Sequence, residues 1–254
     1  MTGLYFSGTG NTEFCVERFL ARTGGKAYRI EDKAAVRALS EDGDILFAYP
    51  VYYSNMPKLA HDFITENSTL WREKNVFIIA TMGLFSGDGA GVSARFLKKF
   101  GANVTGGLHI KMPDCIGDVA LLKKPPEENA RIISEAAAKA DRAAEAFLGG
   151  KPPRDGLNAL CHIAGLFGQR LWFYNKTKNY ASAPKIDGAK CVGCGACEKV
   201  CPTGNIGVTN GRAISGNKCT MCYRCFSECT QKAVTVIGKR VIVQYKFENY
   251  KELI

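Results

Sequence analysis

Residues 3–13 read GLYFSGTGNTE, and the positions that follow carry apolar side chains at Phe14, Val16, Phe19 and Leu20. A short apolar run, a polar glycine-bearing loop and then a period of three to four predict strand, loop and helix. The loop therefore meets a helix N-terminus, where unpaired amides and the macrodipole favour an anion. Gly8 and Gly10 permit close backbone approach, while Ser7, Thr9 and Thr12 bring hydroxyl groups. The loop has no lysine, and no P-loop or G-x-G-x-x-G pattern occurs in the 254 residues. The anion that suits such a loop is a monophosphate held by neutral donors.

The same alternation continues to about residue 150. Lys26–Ile30 predicts a second strand and Asp32–Leu39 a short helix. Asp44–Tyr49 is a continuous apolar run of the kind found in buried parallel strands. A helix over 57–66, a strand Asn75–Thr81, a helix near 91–100, a strand near 105–111 and the Ala-rich helix Glu127–Leu148 follow. Strands alternating with helices imply an α/β fold with a parallel sheet covered on both faces. Ligands of such sheets bind beyond the strand C-termini. The loops after strands one, three and four (SGTGNTE, PVYYSNMP and MGLFSGDGAG) all fall at that edge.

YFSGTGNTE (5–13) resembles the phosphate loop of flavodoxins, S-x-T-G-x-T, and the resemblance covers about residues 1–150. It implies a doubly wound sheet of order 2-1-3-4-5 and FMN as cofactor, with Ser7, Thr9, Gly10, Asn11 and Thr12 around the phosphate. It further implies that Pro50, Val51, Tyr52, Tyr53, Ser54 and Asn55 flank one side of the isoalloxazine ring. Thr81, Met82, Gly83, Leu84, Phe85 and Gly89 would flank the other. Tyr52, Tyr53 and Phe85 are the aromatic candidates for stacking on the ring, against the alternative that two of the three are core aromatics. Asp88 is expected to bond loop amides. The stretch Val51–Met56 has no glycine, so a positive φ within it would fall on Ser54 or Asn55.

The other half is organised by Cys191–Cys229. CVGCGACEKVCP (191–202) and CTMCYRCFSECT (219–230) both space their cysteines C-x2-C-x2-C-x3-C, at an offset of 28 residues. Three closely spaced thiolates suit three corners of an iron–sulfur cube better than a zinc ion, which favours separated C-x2-C pairs. Disulfides would need an oxidising compartment. This stretch resembles bacterial two-cluster ferredoxins. The resemblance implies two [4Fe–4S] clusters with crossed ligation. One would be held by Cys191, Cys194, Cys197 and Cys229, the other by Cys219, Cys222, Cys225 and Cys201. Pro202 follows the fourth cysteine of the first run, whereas Thr230 takes that place in the second. As a whole the chain resembles the ferredoxin–flavodoxin fusion proteins. The implied layout is an FMN domain over 1–150, a linker with an amphipathic helix over 151–182, and a small α+β two-cluster ferredoxin domain with a C-terminal extension over 183–254.

GGKPPRDG (149–156) is a linker by composition. Leu157, Leu160, Ile163, Phe167, Leu171 and Tyr174 give the following helix an apolar face, expected to pack between the domains rather than on a membrane surface. Val234–Val236 and Val241–Tyr245 predict strands before a polar end. Cys15 and Cys161 are expected as small buried residues. Cys115 falls in an irregular loop, and His61, His109 and His162 have no assigned role. The net charge of +10 lies wholly in residues 151–254, which carry 16 Lys+Arg against 6 Asp+Glu, while residues 1–150 carry 18 of each. Cluster charge offsets part of this, and without a nucleic-acid motif the remainder suits acidic redox proteins as partners, not nucleic acid. No apolar run of about 18 residues predicts a transmembrane helix. No charged leader precedes the first strand, so a cytoplasmic location is expected. The function implied is electron transfer between the clusters and FMN. Two other classes are an FMN-dependent reductase fed by the clusters, for which no acid–base pair is visible, and a redox-sensing interaction module.

Overall fold

The computed structural model describes residues 1–173 and 184–253. Five parallel strands, β1 (Thr2–Tyr5), β2 (Lys26–Arg29), β3 (Asp44–Pro50), β4 (Asn75–Met82) and β5 (Asn103–Lys111), form one sheet in the order β2-β1-β3-β4-β5. The middle strands are continuously apolar because both sheet faces are covered: Ile45–Tyr49 and Val76–Ala80 are fully buried. Helices α1 (Asn11–Thr23) and α5 (Pro126–Leu148) pack on one face, where the Phe19 ring stacks on Phe77 at 5.0 Å. Helices α2 (Lys33–Glu41), α3 (Lys58–Glu66) and α4 (Gly89–Lys98) pack on the other, around Phe47, Phe63 and the buried Trp71. This is the doubly wound, flavodoxin-like order that the sequence predicts.

The cysteine-rich half is small and α+β. Two antiparallel ribbons, β6 (Lys185–Ile186) with β9 (Val234–Thr235) and β7 (Ile206–Thr209) with β8 (Arg212–Ser215), accompany short helices at Ala196–Lys199 and Arg224–Glu228. Val241–Tyr245 is not a strand, contrary to expectation. The amides of Ile242 and Val243 both donate to the Gly117 carbonyl, each at 3.0 Å, so this stretch is spent on the first half of the chain. The end that looks polar in sequence also returns there. In the 3-10 turns of Phe247–Leu253 the Phe247 ring stacks on Phe14 at 4.4 Å, and just before them the Tyr245 hydroxyl donates to Asn11 Oδ1 at 2.6 Å.

Two further side chains fasten the halves together. Arg224 donates from Nε and Nη2 to the Ser7 carbonyl (3.1 and 2.7 Å), pairs with Glu31 and lies over the Phe6 ring. Buried Asp118, in the loop after β5, accepts from the amides of Val236 (2.7 Å), Ile237 (3.0 Å) and Gly238 (2.9 Å) on Oδ2. Its Oδ1 accepts from the Tyr223 hydroxyl at 2.9 Å. Asp118→Ala strands three amides and a buried hydroxyl and should cost at least about 2–3 kcal/mol. Chemical denaturation checks this, and an unmoved midpoint contradicts it.

After the Gly/Pro stretch, α6 (Ala159–Gly165) runs into a π-helical turn, Leu166–Arg170. Leu157, just before it, packs on the core of the first half, but the rest of the predicted apolar face does not pack between the two halves: Leu160, Ile163, Phe167 and Leu171 are 52–77% exposed. The contacts are made by its polar side, through His162, Gln169 and Arg170. Tyr174, the last position of the predicted face, lies outside the described residues. Cys15 is fully buried, but Cys161 is only half-buried.

Candidate functional site

The C-terminal edges of β1, β3, β4 and β5 surround a cavity of about 230 Å³. Ser7, Thr9, Asn11 and Thr12 line it from the first loop, and Pro50, Val51, Tyr52 and Tyr53 from the second. Thr81, Met82, Gly83, Leu84 and Phe85 line it from the third. All three aromatic candidates are thus present. Four predicted residues do not line the cavity: Gly10, Ser54, Asn55 and Gly89. Gly10 is the N-cap of α1 in the left-handed region, φ 96°. Gly89 packs behind Val51. Asn55 closes a turn by exchanging both backbone hydrogen bonds with Tyr52, each 2.9 Å, with Tyr53 and Ser54 between them at φ 51° and 57°. Positive φ therefore falls on Ser54, one of the two expected positions, and also on Tyr53 but not on Asn55, as a two-residue type I′ turn demands. Without glycine this conformation is strained. The π-helical turn holds it, since Ser54 Oγ donates to Gln169 Oε1 at 2.8 Å and Arg170 donates to the Ser54 carbonyl at 3.1 Å.

The third loop is held by charge. Asp88 does not bond loop amides as expected. It is fully buried and paired with Arg170 and Arg95, with His162 Nδ1 at 3.0 Å. Burial alone would raise its pKa, but Arg170, Arg95 and His162 outweigh that and hold the carboxyl below the usual range. His109 also has a place: its Nε2 accepts from the Ala90 amide at 3.1 Å, and its Nδ1 lies 2.8 Å from Ser86 Oγ. Burial keeps its pKa below the ordinary value, as suits a neutral acceptor.

Further residues complete the cavity that the sequence did not single out. Met112, Pro113, Asp114, Cys115, Ile116 and Leu122 come from the loop after β5, Gln169 from the π-helical turn, and Met221 and Tyr223 from the second cysteine run. The β5 loop could have been found as a fourth loop at the same sheet edge. Asp114 lies against the Gly83 backbone, and burial raises its pKa despite a hydrogen bond from the Ile116 amide. Burial, then the Asp114 charge, pushes the Cys115 thiol up, so it stays protonated.

The first loop fits an anion. Ser7 Oγ is buried and has no hydrogen-bond partner among the described residues, which is what an absent acceptor leaves behind. Thr12 Oγ1 lies 2.8 Å from Thr81 Oγ1, joining two loops at the cavity. The Asn11 side chain donates to the Pro113 carbonyl at 2.9 Å and accepts from Tyr245, so it is committed elsewhere.

The eight predicted cysteines gather into two groups that cross between the runs. Cys191, Cys194, Cys197 and Cys229 line one small cavity, and Cys201, Cys219, Cys222 and Cys225 line another. Among the described residues no three His, Cys, Asp or Glu side chains converge as closely as a single metal ion requires. Amides point at four of the sulfurs: Ala213 to Cys191 (3.3 Å), Asn205 to Cys201 (3.1 Å), Met221 to Cys219 (3.3 Å) and Ala233 to Cys229 (3.3 Å). Bonds from the Ala213 and Gly193 amides lower the Cys191 pKa, favouring the thiolate, which is the metal-binding form. Both groups suit thiolate ligation of iron–sulfur centres.

Residues 4–114 match the family model described as a flavodoxin domain, and residues 184–207 match that of a 4Fe-4S binding domain. The chain carries an N-terminal flavodoxin domain and a 4Fe-4S ferredoxin motif. The motif model reaches only the first cysteine run. One component of the ion-translocating oxidoreductase complex of Methanosarcina acetivorans is 51% identical over 45 residues, 17% of each chain. An uncharacterized ferredoxin of Methanocaldococcus jannaschii is 30% identical over 78 residues, 28% of this chain and 50% of that one. The chain thus spans half or less of these relatives. Among solved structures, the two-electron reduced Megasphaera elsdenii flavodoxin is 23% identical, covering 55% of this chain and 99% of that one with a TM-score of 0.40. An archaeal flavodoxin is 16% identical, covering 57% and 95% with a TM-score of 0.42. Among the described residues no helix is long and apolar enough to cross a membrane.

A flavodoxin domain implies FMN, and the 4Fe-4S motif implies iron–sulfur chemistry. If the first loop of the flavodoxin domain grips the phosphate, Thr12→Val removes one charge-assisted hydrogen bond. FMN affinity should then fall by about 1.5–3 kcal/mol, tenfold or more, with little change in the potential of bound flavin. Fluorescence titration of the apoprotein reads this, and unchanged affinity would leave the loop as only a turn.

Proposed function

We propose that the chain binds one FMN and two [4Fe–4S] clusters and conducts electrons between the flavin and acidic redox-protein partners. One observation carries this furthest. Met221 and Tyr223, which flank Cys222 in the second cysteine run, line the same cavity as Ser7, Thr12, Tyr52 and Phe85. The two cofactor regions share a wall, so exchange between them is intramolecular and needs no diffusional encounter. FMN would be held at its phosphate by Ser7, Thr9, Thr12 and the loop backbone, and at its ring by the loops around Tyr52 and Phe85. Each cluster would be held by one of the crossed cysteine groups. Bound, these groups supply one-electron centres and a flavin able to take one or two electrons. The chain's own part is to fix their places and aim amides at the sulfurs.

Anaerobic purification followed by iron, sulfide and flavin analysis tests this. About eight irons with matching labile sulfide and one FMN are expected per chain. Tightly bound zinc without labile sulfide, or no flavin, would refute it. A second reading, an FMN-dependent reductase of a small substrate, draws on Asp114, a carboxyl with a raised pKa on the cavity that can hold a proton for transfer. Acceptor turnover that Asp114→Asn abolishes would favour it.

A further inference from the structure

The two cysteine groups stand differently towards the flavin cavity. Met221 and Tyr223 both occupy left-handed backbone (φ 56° and 61°) on either side of Cys222, and both line that cavity. The Tyr223 ring is buried, packed edge-on against Phe226, and its hydroxyl is fixed by Asp118. The loop beneath is equally close. A Cβ on Gly8 would collide with the Cys222 carbonyl oxygen, so the backbone of the first loop touches the Cys222 peptide. Arg224 then reaches from the same run to the Ser7 carbonyl. No cysteine of either group lines the flavin cavity itself, but only the second group has its chain neighbours, Met221 and Tyr223, on that wall. The first group contains the one exposed cysteine of the eight, Cys194, with Val192 beside Cys191 also exposed, although its Cys197 is as buried as Cys222 and Cys225. Exposed Lys232 stands three residues from Cys229, and exposed Lys190, paired with Asp187 at 3.2 Å, stands one from Cys191.

We infer that the redox centres work in a fixed order. The group Cys201, Cys219, Cys222 and Cys225 is the inner station, exchanging electrons with the flavin across Met221, Cys222 and Tyr223. The group Cys191, Cys194, Cys197 and Cys229 is the outer port, facing an acidic one-electron protein partner. This rests on the FMN-and-two-cluster reading above. Tunnelling falls steeply with distance, so the group whose neighbours Met221 and Tyr223 wall the cavity dominates exchange. Each passage moves one electron: the partner is oxidised, the outer and then the inner station is reduced and reoxidised, and the flavin gains the electron. Two passages, with two protons from water, complete flavin reduction.

The test uses the full-length holoprotein under anaerobic conditions. A soluble deazaflavin photoreductant with a sacrificial amine supplies electrons in a flash, and flavin and cluster absorbances are followed. Cys194→Ser should reduce iron to about four per chain and leave the flavin–cluster exchange at its original rate. Cys225→Ser should slow that exchange by about tenfold or more, a factor equal to about 1.4 kcal/mol on the barrier. The reverse pattern overturns the order. Should either variant lose both clusters, Gly8→Ala at saturating FMN decides, because it replaces no cysteine but forces the first loop away from the Cys222 peptide. Slowed exchange with full iron and flavin supports the order, and an unchanged rate overturns it. An unmutated protein lacking either FMN or eight irons would instead defeat the underlying reading. Flavin circular dichroism in every variant confirms that the cavity is intact.

Discussion

Replacing Asp88 with alanine should destabilise the protein by about 3–5 kcal/mol, because it leaves a nearly buried Arg170 without its counter-charge. Asp88 is fully buried and gathers Arg170, Arg95 and His162, and Arg170 in turn holds the Ser54 carbonyl. One carboxylate therefore ties the third loop, the strained Tyr53–Ser54 turn and the π-helical turn together. FMN affinity should fall along with stability. Chemical denaturation and flavin titration measure the two losses, and a change below about 1 kcal/mol would be that of an exposed pair. The pH dependence has a definite sign. The folded-state pKa of Asp88 is depressed, so its contribution is complete above the ordinary carboxyl value of about 4. It is lost as pH falls through the depressed folded value. The stability difference between the native protein and Asp88→Asn should therefore shrink on acidification, and a gap that widened would contradict the pairing.

Cys229→Ser should remove the cluster assigned to Cys191, Cys194 and Cys197, although Cys229 belongs to the second run. Iron should fall from about eight to about four per chain. The remaining paramagnetic resonance signal should match that of Cys194→Ser and differ from that of Cys225→Ser. The expectation rests on the crossed gathering of sulfurs, in which Cys229 shares a cavity with the first run and Cys201 with the second. A spectrum matching Cys225→Ser would mean that each run serves its own cluster.

The sheet and the three loops after β1, β3 and β4 were legible because periodicity and the strand edge constrain them locally. What the sequence hid depends on distant contacts. Phe247 and Tyr245 sit in a stretch that reads as a strand and a polar end, yet they pack on Phe14 and Asn11 more than 230 residues earlier. Asp118 and Asp88 look like loop acids until their partners arrive from another part of the chain. The linker helix shows an apolar stripe, but it docks by His162, Gln169 and Arg170, which no periodicity marks. Positive φ falls on Ser54 as expected but also on Tyr53, which residue preference disfavours, because the Tyr52–Asn55 pairing sets the turn. Cysteine spacing constrains only the ligands, so nothing in it could show that Met221 and Tyr223 face the flavin cavity.

The most direct measurement is an anaerobic coulometric titration of the purified holoprotein, with absorbance recorded at each step. Two clusters taking one electron each and a flavin taking two should give an uptake of about four electrons per chain. Uptake of about two electrons, with no bleaching of cluster absorbance, would contradict the joined flavin and cluster sites.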